Sequence, residues 1–272
     1  MCENSHHRKT STLTPTPTRR PRSHHSYTLI CEEPLIVGGT TGIGRALAQR
    51  FVDAGSTVVV GGRNIEQVDG VETVRIDVTD AASVAQARDE VLAKHPELDV
   101  VVTMSGVMLT EDLRDPDHIA QAETTISVNL LGTIRVIDAF TPHLLGRGAG
   151  DIITVSSGIG FLPFPLMATY GASKAAVHSY TESLRAHLAG TGIAVTELIP
   201  PAVANAGQEK LNPNALPMGD FLDEVIGLLT QNPTPKEIVV ERAKPLRWAE
   251  HDDTYEELLA ARSQSLSNLS GR

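Results

Sequence analysis

A short apolar run, then clustered glycines, then a helical period leave this chain few ways to fold. Leu35-Ile36-Val37 reads as a buried strand and Gly38-Gly39-Thr40-Thr41-Gly42-Ile43-Gly44 as a loop. The helix after it has Ile43, Leu47 and Phe51 on one face and Gly55 at its end. Glycine tolerates the tight turn, and it lets the backbone approach a pyrophosphate held at a helix N-terminus. A purely structural glycine turn is the competing reading at this point.

Strands and helices then alternate. Thr57–Val60 is a second strand, ending in Gly61-Gly62-Arg63-Asn64. Val74–Ile76 is a third, ending at Asp77-Val78, and a helix over Ala81–Lys94 is closed by His95-Pro96. Asp99–Thr103 is a fourth strand, followed by Met104-Ser105-Gly106 and one long helix near Thr124–Leu145. Ile152–Val155 is a fifth, and the helix after it closes at Gly190-Thr191-Gly192. Ile193–Ile199, a helix over Phe221–Leu229 and a strand at Glu237–Val240 complete the series. This order predicts an α/β fold: a Rossmann-type, doubly wound parallel sheet of about seven strands, helices on both faces, in one domain over 32–250. Residues 251–272 are expected to be a helix with a frayed end.

Residues 1–31 are rich in Ser, Thr, Pro, His and Arg and carry five Lys/Arg against a single acid. They hold too little apolar surface to offset ordering entropy and are expected to be a disordered basic extension. The His6-His7 and His24-His25 pairs could hold a metal only weakly, and no metal is expected. The acidity of the chain, net −10, therefore lies in the body and argues against nucleic-acid binding. No apolar run approaches the ~18 residues of a membrane helix. The two cysteines, Cys2 and Cys31, lie outside the proposed body, which fits a reducing, cytoplasmic setting rather than a disulfide framework.

The chemistry gathers between Ser157 and Lys174. Tyr170 and Lys174 stand four apart on a helix, on one face, and Ser157 ends the fifth strand. A tyrosine titrates near 10, and a close cation favours its phenolate, making a general acid/base for hydroxyl–carbonyl interconversion. At the end of the second strand, where a dinucleotide fold meets the adenosine ribose, no acid stands, and Arg63 is available. Arg63 either faces a 2′-phosphate, favouring NADP(H) with NAD(H) still possible, or is a solvated surface arginine.

These residues resemble the short-chain dehydrogenase/reductase family over about residues 34–245, and in texture (GGTTGIG, GGRN, ELIPPAV) the DltE-like bacterial oxidoreductases. The resemblance places the family's catalytic Asn, Ser, Tyr and Lys on Asn129, Ser157, Tyr170 and Lys174. It places the cofactor against Gly38, Thr40, Thr41, Gly42, Ile43 and Gly44 in the loop. Further along come Arg63, Asp77 and Val78, then Ser105 and Gly106, then Tyr170 and Lys174 again, and last Pro200, Val203 and Asn205. There are departures. The family's Asn-Asn-Ala-Gly is here Thr103-Met104-Ser105-Gly106. Thr41 stands where many NADP-using members carry Arg or Lys, leaving Arg63 to select the phosphate largely alone. Asn205 replaces a Thr that contacts the nicotinamide amide.

The resemblance implies hydride transfer between NADP(H) and a small-molecule carbonyl or secondary alcohol, with a homodimer or homotetramer paired through the helices of Asn129 and Tyr170. A dinucleotide-sensing or scaffold protein without turnover is the alternative. Phe161–Met167 walls an apolar pocket or is plain packing or a subunit interface. Residues 206–219, with Pro213 and Pro217, occupy the place of a substrate lid and suggest a small or narrow substrate.

Overall fold

A computed structural model describes residues 33–65, 70–204 and 214–269. In chain order the elements are β1 (Pro34–Val37), α1 (Gly42–Asp53), β2 (Val59–Gly62), β3 (Glu72–Arg75), α2 (Ala81–Lys94) and β4 (Val100–Thr103). Then come α3 (Ile119–Ile126), α4 (Gly132–Arg147), β5 (Gly150–Val155), α5 (Ala168–His187) and β6 (Ile193–Ile199). The last are α6 (Met218–Leu229), β7 (Glu237–Val239), α7 (Lys244–Arg247) and α8 (Tyr255–Ser263).

The seven strands form one parallel sheet in the order β3-β2-β1-β4-β5-β6-β7. Their near-continuous Val/Ile/Leu runs suit strands covered on both faces. Alternate residues divide the core in two. Leu35, Val37, Val101 and Ile152 pack with Val84, Val91, Val136, Ile137 and Phe140 of α2 and α4. Ile36, Val60, Val102 and Ile153 pack with Leu47, Phe51, Phe221 and Val225 of α1 and α6. The doubly wound sheet with helices on both faces is thus what the alternation predicts. The strand order reverses between β1 and β4, and that reversal opens a crevice at the carboxyl ends of the strands.

Several boundaries shift from expectation, β3 to Glu72–Arg75 and the start of α6 to Met218 among them, and two segments differ more deeply. β2 begins two residues late and runs through Gly61-Gly62, because these glycines serve the sheet: a Cβ on Gly61 would stand 2.8 Å from Ile76 Cγ2. The helix expected near Thr124–Leu145 starts earlier, at Ile119, and is not one α-helix; Ser127–Leu131 widens into a π-helical turn between α3 and α4. Among the described residues no helix is long and apolar enough to cross a membrane. Residues 1–31, Asn205 and most of the expected lid lie outside the described residues.

Candidate active site

The crevice is a cleft of about 1000 Å³. One end is the loop between β1 and α1. Gly38 adopts φ +95°, and a Cβ there would lie 2.5 Å from the Ser105 nitrogen; a Cβ on Gly44 would lie 2.3 Å from the Gly38 carbonyl oxygen. Both positions therefore require glycine. Thr41 precedes α1 without a side-chain bond to its first amides, whereas α2 is capped by Asp80, which accepts from the Ala82 N–H at 2.8 Å. The first turn of α1 thus presents unsatisfied N–H groups to the cleft beside Thr40, Thr41, Gly42 and Ile43, which fits a phosphate-bearing dinucleotide.

Arg63 lies exposed at the mouth of the same end. Asp77 is nearby, but its carboxylate accepts from the Thr79 N–H at 2.9 Å and the Thr79 hydroxyl at 2.7 Å. Those bonds, with Arg63 and Arg75 adding positive charge, hold it below the usual carboxylate range. Val78, Ser105, Gly106, Pro200 and Val203 also line the cleft. The Thr103–Gly106 segment stays tied to the sheet through its backbone, Met104 N–H donating to the Val37 carbonyl at 2.8 Å.

At the other end, Ser157 follows β5 and Tyr170 and Lys174 come from α5; all three line the cleft. Ser157 stands beside the Tyr170 phenol, where its hydroxyl favours the ionised form. Lys174 is buried and donates to the Val155 carbonyl at 2.7 Å, its Nζ 5.7 Å from the Tyr170 ring centroid. The expectation of a depressed tyrosine is not met here. Burial raises the Tyr170 phenol above its ordinary value, and the neighbouring Ser157 hydroxyl only partly offsets it. Burial also lowers Lys174 to about 8, with the charge of Glu197 holding it up.

Asn129 is fully buried behind the cleft wall, in the π-helical turn. Its Oδ1 accepts from the Val107 N–H at 2.8 Å, and its Nδ2 donates to the Val107 carbonyl at 2.9 Å and to Ser173 Oγ at 3.1 Å. It therefore bridges the backbone after β4 to the helix of Tyr170 and Lys174. The Phe161–Met167 run divides: Leu162 is fully buried and Phe161 packs on His178 and Arg247, while Phe164 and Met167 face the cleft.

Three contributors escaped sequence reasoning. Glu111, 3% exposed, accepts from the Thr169 N–H and hydroxyl, both at 2.7 Å, and so clamps the start of α5 one residue before Tyr170. Glu197, fully buried on β6, meets His178 Nδ1 at 2.8 Å and supports the charge of Lys174. Arg262 on α8 lines the tyrosine end of the cleft. Each acts across the fold, and no local pattern announces it.

The family pattern described as short chain dehydrogenase matches residues 34–216. An uncharacterized oxidoreductase of Staphylococcus epidermidis is 32% identical over 208 residues, covering 72% of this chain and 90% of that protein. The uncharacterized oxidoreductase DltE of Bacillus subtilis is 30% identical over 184 residues, covering 65% and 73% respectively. A crystal structure of a short chain dehydrogenase from Burkholderia cenocepacia in complex with NADP superimposes with a TM-score of 0.73 at 23% identity, covering 86% of this chain and 98% of that one.

Proposed function

The chain belongs to the short-chain dehydrogenase family, the DltE-like oxidoreductases among them, and on that premise we propose that it interconverts a carbonyl and a secondary alcohol with NADP(H), Tyr170 acting as general acid and base. The single observation carrying this reading is the meeting of Ser157, Tyr170 and Lys174 on one wall of a cleft whose far end is a glycine cradle under uncapped helix amides.

The nicotinamide, when bound, supplies or takes up the hydride. The phenol, held protonated by burial, gives its proton to the carbonyl oxygen in reduction and recovers it in oxidation. Ser157 aims a second donor at the same oxygen and stabilises charge developing there. Lys174 supplies the nearby positive charge that phenolate formation needs, and it orients the nicotinamide ribose. Asn129 fixes the wall beside Lys174. By the family resemblance, Asn129 also holds a water joining Lys174 to solvent. Preference for NADP(H) rests on Arg63, exposed where no carboxylate competes except the already satisfied Asp77. Asn205, outside the described residues, is retained as the nicotinamide-amide contact. Pairing through the helices of Asn129 and Tyr170 into a homodimer or homotetramer is supported by exposed Leu131 and Leu145, and a monomer by light scattering at micromolar concentration would refute it.

The test is fluorescence titration with NADPH and NADH on the wild type and on Arg63→Ala, then a carbonyl panel on the wild type and on Tyr170→Phe. NADPH should bind more tightly, and Arg63→Ala should remove the difference. Tyr170→Phe should lose about 10²–10⁴ in turnover while still binding cofactor. Retained turnover in Tyr170→Phe would sink the mechanism. Binding without turnover of any carbonyl would return the chain to the sensor class.

A further inference from the structure

Arg262 differs from most of the half-sunken arginines, which have a carboxylate partner, and from Arg135, which donates to the Val78 carbonyl at 3.0 Å. Arg147 pairs with Glu97 at 2.9 Å, Arg185 pairs with Glu182, and Arg247 holds Glu237 through two 2.9 Å contacts. Arg262 has no such carboxylate among the described residues. Its contact is the ring of Phe164, 5.6 Å from guanidinium carbon to centroid, and burial is the one influence on its ionisation, pulling it below the usual arginine value without any acid to raise it. A guanidinium stays charged in proteins, and burying it unpaired is costly unless an anion arrives.

Its placement is set by packing. α8 ends in Ser263, and the 3₁₀ turn after it, Gln264–Asn268, rests on Pro165–Met167, the segment between Ser157 and Tyr170. The guanidinium therefore faces the cleft at the Phe164 and Met167 side, the end opposite the glycine cradle. In a chain of net charge −10, the described residues lining this cleft include the cations Arg63, Lys174 and Arg262 and a single acid, Asp77, which sits at the Arg63 end. No described carboxylate lines the tyrosine end, Glu197 acting on Lys174 from outside the cleft lining.

We propose that Arg262 is the anchor for a small oxyanion, a carboxylate or its equivalent, carried by the substrate. The molecules turned over at Tyr170 are then acidic carbonyl compounds and the corresponding hydroxy acids, short enough to span from Tyr170 to Arg262. A planar guanidinium held against an aromatic face offers paired N–H donors that match a carboxylate bidentately. This deepens the carbonyl–alcohol reading above, which it relies on for the identity of the molecule bearing the anion.

The probe is malonate, titrated calorimetrically into the NADPH-loaded protein, with dimethyl malonate as the neutral counterpart. Malonate should bind and the ester should not. Arg262→Gln should weaken malonate about 10- to 100-fold, the scale of a lost charge-assisted contact, and Arg262→Lys should recover part of it. In parallel, the wild type should reduce a short aldehyde bearing a terminal carboxylate at least about tenfold more efficiently than its methyl ester, with the ratio falling toward one in Arg262→Gln. Equal malonate binding in wild type and Arg262→Gln overturns the proposal, as does equal use of acid and ester. Loss of NADPH affinity in Arg262→Gln with malonate binding intact also overturns it, since the arginine would then serve the cofactor. Malonate binding that depends on Arg262 in a protein without turnover upholds the anion anchor while the oxidoreductase reading falls. Turnover of the carboxylate-bearing aldehyde unaffected by Arg262→Gln does the reverse.

Discussion

Replacing Glu111 with Ala tests whether the catalytic helix is held from outside the catalytic residues. The carboxylate accepts two hydrogen bonds of 2.7 Å from Thr169 and lies 3.4 Å from His118 Nδ1. Bonds to a charged acceptor contribute about 1.5–3 kcal/mol each, so the two together carry about 3–6 kcal/mol. Removing a buried carboxylate also returns part of its desolvation cost, which brings the expected net loss to about 2–3 kcal/mol. For a chain of this size that is a fall in Tm of about 4–12 °C. Urea unfolding followed by circular dichroism should show a lower midpoint with an unchanged slope. Turnover should fall with it, because the freed first turn of α5 carries Tyr170. Thr169→Val removes only the hydroxyl half of the clamp, and the double variant should cost less than the sum of the two singles. Stability of Glu111→Ala within about 0.5 kcal/mol of wild type, or strict additivity in that cycle, would refute the clamp.

Gly44→Ala should push the glycine cradle apart, since its Cβ would lie 2.3 Å from the Gly38 oxygen, and should weaken NADPH by about 10²-fold or more in a fluorescence titration. Asp151 is buried with its Oδ1 unpartnered among the described residues, and burial raises it to about 7. Its folded value exceeds its ordinary 3.8, so stability falls as pH rises from about 4 to about 7. Asp151→Asn should accordingly stabilise the protein at pH ~8 by about 4 kcal/mol and change little at pH ~4, read from urea midpoints. Lys174 has the opposite sign: its folded value of about 8 lies below 10.5, so the unfolded chain binds the extra proton and stability rises between those limits. Lys174→Met should flatten that rise, worth about 3 kcal/mol, in the same assay.

The parts of the fold that could be read from sequence are those whose signals are local. α2 is bounded as expected, Ala81–Lys94, because Asp80 caps it and Pro96 follows it, and β6 because an apolar run lies between Gly192 and Pro200. The loop from Gly38 to Gly44, Ser157, Tyr170, Lys174 and Arg63 were visible because spacing along one strand or helix places them in the cleft. Local pattern failed where a residue answers to something distant. Gly61 reads as a turn yet is a strand residue shaped by Ile76. Glu111 meets Thr169 across 58 positions. The tyrosine's raised ionisation comes from how deeply the fold buries its phenol, which spacing does not specify.

The π-helical turn at Ser127–Leu131 amounts to a phase slip of one residue. An α-helix advances about 100° per residue, so the faces of α3 and α4 are offset by one such step although the axis runs on. Deleting a single residue inside this turn would let the two helices merge into an unbroken α-helical ladder. The same deletion would swing Asn129 away from both backbone groups of Val107 and from Ser173. At this one place the shorter chain would make the better helix and the poorer enzyme.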